Sequence, residues 1–237
     1  MKKLRTTLCT LTLVVAGSIA SFAQNADEII QKHITAIGGA EAWKKVNSIK
    51  MTGSMNAQGT EIGVTQTVAH NKGMRQDISV MGMNGYMIVT NKEGWSFMPF
   101  GGQTAPEAMT PDQVKESQDE LDIQGDLIDY QAKGNKVEFV GKDDVEGTEV
   151  FKLKVTGKDG KEKTVYIDAS SYFMIREVRK INADGKEMEM AIDFSNFQKQ
   201  ANGTMFPMTV GTPQGEVNFS KVEINSPIED SLFKPAN

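Results

Sequence analysis

Cysteine is almost absent from this chain, since Cys9 is the single one in 237 residues. It lies in a stretch that has the three parts of a secretory signal peptide: the basic residues Lys2, Lys3 and Arg5, the apolar run Leu8 to Ile19, and the small-x-small sequence Ser21-Phe22-Ala23. We therefore expect residues 1–23 to be removed, so that the mature chain begins at Gln24. A mature chain without cysteine has no disulfide, no thiol nucleophile and no cysteine metal ligand.

Long apolar runs and excess positive charge are also lacking. After the leader, no run approaches the ~20 apolar residues that span a bilayer. The formal net charge is −5, and loss of the three basic leader residues takes it to −8. An acidic surface repels phosphate backbones and anionic headgroups, so we expect no nucleic-acid binding. Together with the leader, these features predict a soluble, monomeric periplasmic protein with one domain over residues 24–237.

Residues that could form a catalytic or metal site are few. The chain has two histidines, His33 and His70, and no spacing of histidine with cysteine or aspartate that suggests a metal site. No nucleophile elbow, P-loop or dinucleotide-binding glycine motif follows the leader. Acidic residues are too common here for a pair of carboxylates to indicate acid–base catalysis. We predict no enzyme, no cofactor and no metal, with a hydrolase of unrecognised site left as an alternative.

What the sequence has instead is alternation of apolar and polar residues. After an N-terminal helical pattern, in which Ile30, Ile34 and Ile37 recur on one face before Gly38-Gly39, the apolar period changes to two, as in half-buried strands. Hairpin signals recur between the strands, at Asn84-Gly85, Asp159-Gly160, Asp184-Gly185 and Asn202-Gly203. We predict an α+β fold in which a strongly curved antiparallel sheet of some ten or eleven strands forms an incomplete β-barrel. The N-terminal helix and a mid-chain helical lid would cover it.

Two local features interrupt the alternation. A helix start is predicted at Thr110-Pro111-Asp112-Gln113, with a capping threonine, a proline at the first helical position and a glutamine three residues after the cap. The residues that follow form an apolar stripe: Val114, Leu121, Leu127 and Tyr130. We predict one broken helix, or two short ones, lying across the sheet as the lid. Near Ser220 the apolar residues change parity, which indicates a β-bulge or a change of covering surface.

Methionine is enriched in one part of the chain. Seven of the fourteen methionines lie between Met51 and Met98. Methionine is flexible and polarisable, so such a set indicates either an adaptable cavity or gap-filling in an ordinary core. A cavity would suit acyl chains, because each CH₂ group exposed to water costs ~0.8 kcal/mol. We predict a lipid cavity lined by Met51, Ile78, Val80, Ile88, Trp95 and Phe97.

Three stretches form a pattern that spans most of the mature chain. They are ADEIIQKHITAIGGAEAWKKVNSIKMTGSM at 26–55, GMRQDISVMG with IVTNKEGWSFMPF between 73 and 100, and INSPIEDSLFKP at 224–235. This pattern resembles the periplasmic lipoprotein carriers of the LolA/LolB type, an outer-membrane lipoprotein-sorting family. The sequence departs from that family at one turn, where Asn91-Lys92-Glu93-Gly94 replaces the usual Asp-Gly.

The resemblance implies an incomplete barrel with a hydrophobic cavity for the acyl chains of a lipoprotein. It also implies that Arg75 matches a strand arginine that helps to hold the lid, although Arg75 shares a strand face with Asp77, as in an ordinary surface ion pair. The expected function is a carrier that escorts lipoproteins toward the outer membrane, with inner- and outer-membrane transport proteins as partners. The alternative is a binder of free lipid, or of another apolar small molecule, without lipoprotein cargo.

Overall fold

The computed structural model describes residues 26–183 and 186–235. The predicted leader, its cleavage before Gln24 and the predicted Asp184-Gly185 turn lie outside these residues. Helix α1 covers residues 26–36, and helices α2 and α3 follow at Ala40–Trp43 and Pro111–Glu116. Short 3₁₀ turns lie at Pro99–Gly101, Gln118–Leu121 and Asp230–Phe233.

Thirteen strands within the described residues form one antiparallel sheet. They are β1 Ser48–Ala57, β2 Thr60–Ala69, β3 Gly73–Val80, β4 Met83–Thr90, β5 Gly94–Phe97, β6 Glu107–Ala108, β7 Lys136–Val145, β8 Thr148–Thr156, β9 Glu162–Asp168, β10 Met174–Ala183, β11 Lys186–Lys199, β12 Met205–Thr212 and β13 Gly215–Ile224. The spatial order is β6-β5-β4-β3-β2-β1-β13-β12-β11-β10-β9-β8-β7, so the sheet is open, with β6 and β7 at its edges. The predicted fold class is confirmed, with more strands than expected.

The chain crosses from one edge of the sheet to the other between β6 and β7. Strands β1 to β6 proceed outward to one edge, and strands β7 to β13 return from the other edge until β13 pairs with β1. We call the connection, residues 109–135, the crossing segment. Its helix α3 has the predicted capping box between Thr110 and Gln113. The helical part is broken, as predicted, because α3 ends at Glu116 and a 3₁₀ turn follows.

Cross-strand pairing defines two faces of the sheet. Ile49 lies opposite Val68, which lies opposite Met74, and directly opposite residues project to the same side. We call this side the inner face, because it packs against α1, α2 and the crossing segment. Part of the other side, the outer face, packs against residues 225–235, which we call the C-terminal strap.

The main core lies between the inner face and the N-terminal helices. Ile30 of α1 is fully buried, and Trp43 packs on Phe206 with ring centroids 4.8 Å apart. The chain turns between the two helices at Gly38, which has a φ of 106°. A Cβ atom there would lie 2.3 Å from the carbonyl oxygen of Gly203. Only glycine fits this close approach of two backbones, so this contact fixes the position of the helices on the sheet.

The bulge indicated by the parity change is present at Ser220. Thr52 of β1 pairs with Lys221, whereas Gly53 pairs with Phe219, so Ser220 is an extra residue on β13. An extra residue restores the direction of the side chains beyond it. As a result, the apolar residues of β13 on both sides of the bulge face inward.

The hairpin turns agree with the sequence at two positions and differ at one. Asp159-Gly160 and Asn202-Gly203 lie in turns, as predicted. The prediction for Asn84-Gly85 is wrong, because β3 and β4 are joined at Met81-Gly82, where the φ angles are 50° and 83°. Gly85 is a strand residue with a different role. A Cβ atom on it would lie 2.9 Å from a ring carbon of Phe100, which packs over this position.

Candidate functional site

The six residues predicted to line a cavity lie on two different faces of the sheet. The inner-face members are Met51, Ile78 and Val80. The outer-face members are Ile88, Trp95 and Phe97, which belong to a separate cluster with the C-terminal strap. Strands β4 and β5 are apolar on both sides because both sides are covered. The six residues therefore do not line one cavity, and only the first three can face a ligand on the inner side.

The inner face carries a continuous apolar surface across its middle strands. The side chains there are partly exposed and lie outside the three core clusters of the described residues: Met55, Ile62, Ile78, Val80, Met190, Ile192, Phe194, Val210, Val217 and Phe219. We call this set the inner-face strip. It extends over six neighbouring strands, from β3 through β1 and β13 to β11. Methionine, branched aliphatic and phenylalanine side chains together give a surface that adapts to flexible apolar ligands.

The middle of the crossing segment is fixed to the turn between β2 and β3. Leu121 is 1% exposed and packs with Val68 and other inner-face residues. The amide of Asn71 donates to the carbonyl oxygen of Leu121 at 2.7 Å, and the amide of Ile123 donates to His70 Nδ1 at 3.3 Å. These contacts hold the middle of the segment against the inner face.

The remaining predicted lid residues also belong to the crossing segment. Val114 is buried, and a Cβ atom on Gly94 would lie 3.2 Å from its Cγ2 atom. Leu127 belongs to the main core beneath α1. The hydroxyl group of Tyr130 donates to Asp27 Oδ1 at 2.5 Å. The crossing segment thus carries all four predicted lid residues but places them at different sites: Val114 beside Gly94, Leu121 against Val68, and Leu127 and Tyr130 in or against the main core.

Arg75 contacts the C-terminal strap, which covers the opposite side of the sheet from the crossing segment. Its Nε atom donates to Asp77 Oδ1 at 2.8 Å, and its Nη1 atom donates to the carbonyl oxygen of Leu232 at 3.3 Å. The guanidinium lies 4.5 Å from the ring centroid of Tyr86. The expected ion pair with Asp77 is therefore present. Arg75 does hold a covering segment, but that segment is the strap.

We expect Arg75→Leu to loosen the strap and to leave the crossing segment unchanged. Loss of a charged hydrogen bond of about 1.5 kcal/mol predicts roughly tenfold faster amide exchange at Leu232 and Lys234. Lys72→Ala is the control, because the Lys72–Asp230 ion pair also joins the sheet to the strap but is exposed, and such pairs contribute little. Faster exchange in residues 111–130 of Arg75→Leu, with the strap unchanged, would contradict this assignment.

The inner face also carries a charged cluster that sequence reasoning missed. Glu177 lies opposite Val165, and Arg179 lies opposite Lys163. Because Val165 belongs to the main core, the charged side chains project inward with it. The sequence contained one signal for this placement: Lys163, Val165 and Ile167 occupy alternate positions along β9, so the three side chains face the same side of the sheet. Charged residues in such a phase are usually assigned to a surface, and nothing in the local sequence identified their partners.

Carboxylates of the crossing segment pair with these inward cations. Lys163 Nζ lies 2.6 Å from Asp126 Oδ2, and Arg179 Nη2 lies 3.3 Å from Glu120 Oε1. Burial disfavours the charge on Lys163, but the carboxylates of Glu177, Asp126 and a further aspartate outweigh it, so its pKa lies above the ordinary value. Burial also raises the pKa of Glu177, more than the neighbouring cations lower it.

The histidines take part in packing and hydrogen bonding. His33 is buried, and its Nδ1 atom lies 2.9 Å from the carbonyl oxygen of Tyr172. Burial lowers the pKa of His33, so its ring is neutral at pH 7.

In the part of the chain that the structure describes, no group of three or more His, Cys, Asp and Glu side chains is placed to hold a metal ion. Within the same part, no helix combines the length and apolar character needed to cross a membrane.

Comparisons with known proteins give a clear result for the fold. No family sequence model matches the chain, and no curated protein matches it in sequence. A crystal structure of a LolA superfamily protein from Nitrosomonas europaea matches with a TM-score of 0.53 at 13% identity, covering 90% of this chain and 97% of the other. The chain has a LolA-like fold.

Two further solved structures share this LolA-like fold. One is a domain from Vibrio parahaemolyticus assigned to outer membrane lipoprotein sorting, with a TM-score of 0.52 at 15% identity over 89% of this chain and 97% of that one. The other is a DUF1329 family protein from Desulfovibrio piger, with a TM-score of 0.55 at 11% identity over 90% and 97% of the two chains. The resemblance seen in the sequence is thus confirmed for the fold.

Proposed function

We propose that the protein is a periplasmic carrier that binds the acyl chains of lipoproteins and escorts them toward the outer membrane. The observation that carries the proposal is the inner-face strip, a partly exposed apolar surface across six strands of an open sheet. Surfaces of this kind mark binding sites in proteins that are not membrane-embedded. The crossing segment, which packs against the same face, would act as the lid.

The energetics of acyl transfer favour such a surface. A chain that moves through water exposes every CH₂ group at a cost of ~0.8 kcal/mol each, so it requires an apolar escort. Partly exposed side chains can exchange solvent for acyl chain without disrupting the core. The lid would move only if the ligand binds the open and closed states with different affinities, and we propose that acyl chains bind the open state more tightly.

The similarity to a LolA superfamily protein and to a lipoprotein-sorting domain supports this choice of cargo. The leader over residues 1–23, which has the parts of a signal peptide, supports the periplasmic location. We propose a binding role without catalysis, with membrane proteins that load and receive the cargo as partners. Native mass spectrometry of the protein isolated from its own cell envelope would distinguish lipoprotein cargo from free lipid or another apolar molecule.

Ile78→Asp tests the binding surface directly. A charge at the β3 end of the inner-face strip should weaken binding of a fluorescent fatty-acyl probe by about tenfold or more, because an unpaired charge is costly to bury against acyl chain. Fluorescence titration measures the affinity. Ile78 is partly exposed, so the fold should survive the substitution.

Ser79→Asp is the matched control, since it places the same charge one residue along β3 on the exposed outer face. It should bind the probe like the unmodified protein. Equal affinities for all three proteins, or no probe uptake by any of them, would rule out the inner-face strip as the acyl site.

A further inference from the structure

Two cations lie at one end of the inner-face strip. Arg179 and Lys163 are directly opposite each other on β10 and β9. Arg179 also lies opposite Met190 on β11, and Met190 belongs to the strip. The inner face therefore changes from apolar to positively charged within one strand spacing, as a surface that holds an amphiphile would.

The negative charges that balance these cations come mainly from the crossing segment. Asp126 and Glu120 make the close contacts, at 2.6 and 3.3 Å. The sheet itself supplies Glu177, whose carboxylate lies 3.9 Å from Lys163 Nζ. If the crossing segment moves away as a lid, two cations remain on the sheet against one carboxylate. Moving the cover away thus leaves an excess positive charge on the sheet at the end of the inner-face strip.

The surroundings of Arg179 have room for another group. Its Nε atom is buried and has no hydrogen-bond partner. Small-ligand sites commonly measure ~300 to 1,000 Å³. The cleft beside Arg179, lined by Lys163, Ile181, Glu120 and further charged residues of both signs, measures about 600 Å³. Because buried donors are normally paired, the free Nε atom indicates that the present partners of this guanidinium do not satisfy it.

We propose that Arg179 and Lys163 bind an anionic headgroup of the acyl cargo, and that Glu120 and Asp126 occupy this headgroup site while the crossing segment is closed. The inference rests on the proposed function, because it assumes that the inner-face strip holds acyl chains. The preferred ligand is then an anionic amphiphile, such as an alkyl phosphate or a phospholipid with a phosphate headgroup. Its headgroup displaces the carboxylates of the crossing segment, which couples loading to lid opening.

The test compares tetradecyl phosphate, tetradecanol and inorganic phosphate by calorimetry with the full mature chain. The protein should bind tetradecyl phosphate about tenfold or more tightly than tetradecanol, since charge-assisted hydrogen bonds are strong. Inorganic phosphate alone should bind too weakly to measure. Phosphate binding as tight as that of tetradecyl phosphate would overturn the proposal in favour of a free-phosphate site.

Variants assign the preference to the headgroup site. Arg179→Gln should reduce the phosphate-over-alcohol preference to near unity while leaving tetradecanol affinity unchanged. Lys221→Gln is the matched control, because it removes the same charge from an exposed position on β13 that does not line the cleft, and it should keep the preference. Glu120→Gln should tighten tetradecyl phosphate binding severalfold, since the competing carboxylate is lost.

The outcomes separate this inference from the proposed function. Equal affinities for tetradecyl phosphate and tetradecanol in the unmodified protein would overturn the headgroup site but leave the acyl carrier intact. No binding of either amphiphile would overturn the acyl carrier itself. A preference that survives in Arg179→Gln would contradict the assignment. Weaker binding of tetradecyl phosphate by Glu120→Gln would also contradict it, and this second test does not depend on the folding of Arg179→Gln.

Discussion

Leu121→Asp is expected to release the crossing segment from the sheet while leaving the strands protected. Leu121 is 1% exposed and packs with Val68, Met74 and Val89. Placing a carboxylate among them without a partner should cost about 3 kcal/mol. Hydrogen exchange of the amides in residues 111–130 should therefore become roughly a hundred times faster, because 1.4 kcal/mol corresponds to a factor of ten.

Ala132→Asp serves as the control for the added charge. It lies on the same crossing segment but is exposed, so its exchange pattern should match that of the unmodified protein. If the crossing segment is the lid, Leu121→Asp should also take up the fatty-acyl probe faster. Unchanged exchange in residues 111–130, or loss of protection across all strands together, would show that this segment does not open as a separate unit.

Phe233→Ala is expected to destabilise the whole domain through the outer face. Phe233 is 5% exposed, and its ring lies so close to Gly73 that a Cβ atom there would be 2.8 Å from the ring. Removal of a buried phenylalanine ring costs about 3 to 5 kcal/mol. The midpoint of urea unfolding should fall accordingly, with an unchanged slope if unfolding stays two-state.

Lys234→Ala is the neighbouring control, since that side chain is exposed and should leave the midpoint in place. Affinity for the fatty-acyl probe should be unchanged in folded Phe233→Ala, because the inner-face strip lies on the other side of the sheet. An unchanged midpoint in Phe233→Ala would show that the strap is not part of the cooperative core. Weaker probe binding in the folded variant would place the acyl site on the outer face.

Much of the fold was accessible from short-range patterns. The start of α3 was readable because a capping box acts within four residues, between Thr110 and Gln113. The bulge at Ser220 was readable because a change of parity within one strand requires an extra residue. The prediction of a turn at Asn84-Gly85 instead of Met81-Gly82 was wrong, because a favourable turn pair is only a local preference and does not determine where the two strands end.

The candidate site was accessible only in part. Alternation placed Ile78 and Val80 on one face of β3, and both now belong to the inner-face strip. Alternation could not assign the residues of β4 and β5 to a face, because these strands are apolar on both sides. The crossing segment covers one side and the strap covers the other. Trp95 could therefore be assigned to a cavity from the sequence, although it packs under the strap.

By itself, the sequence determined the elements: where strands alternate, where α3 begins, where the chain bulges and which segment interrupts the sheet. The tertiary structure decided which face each strand presents, because burial depends on segments far away in the chain. Arg75 meets Leu232, and Lys163 meets Asp126, only once the two halves of the sheet join at β1 and β13. Capping and turn preferences act over a few residues. A sheet face, in contrast, is covered by segments that are distant in the sequence, and no local pattern specifies which segment covers it.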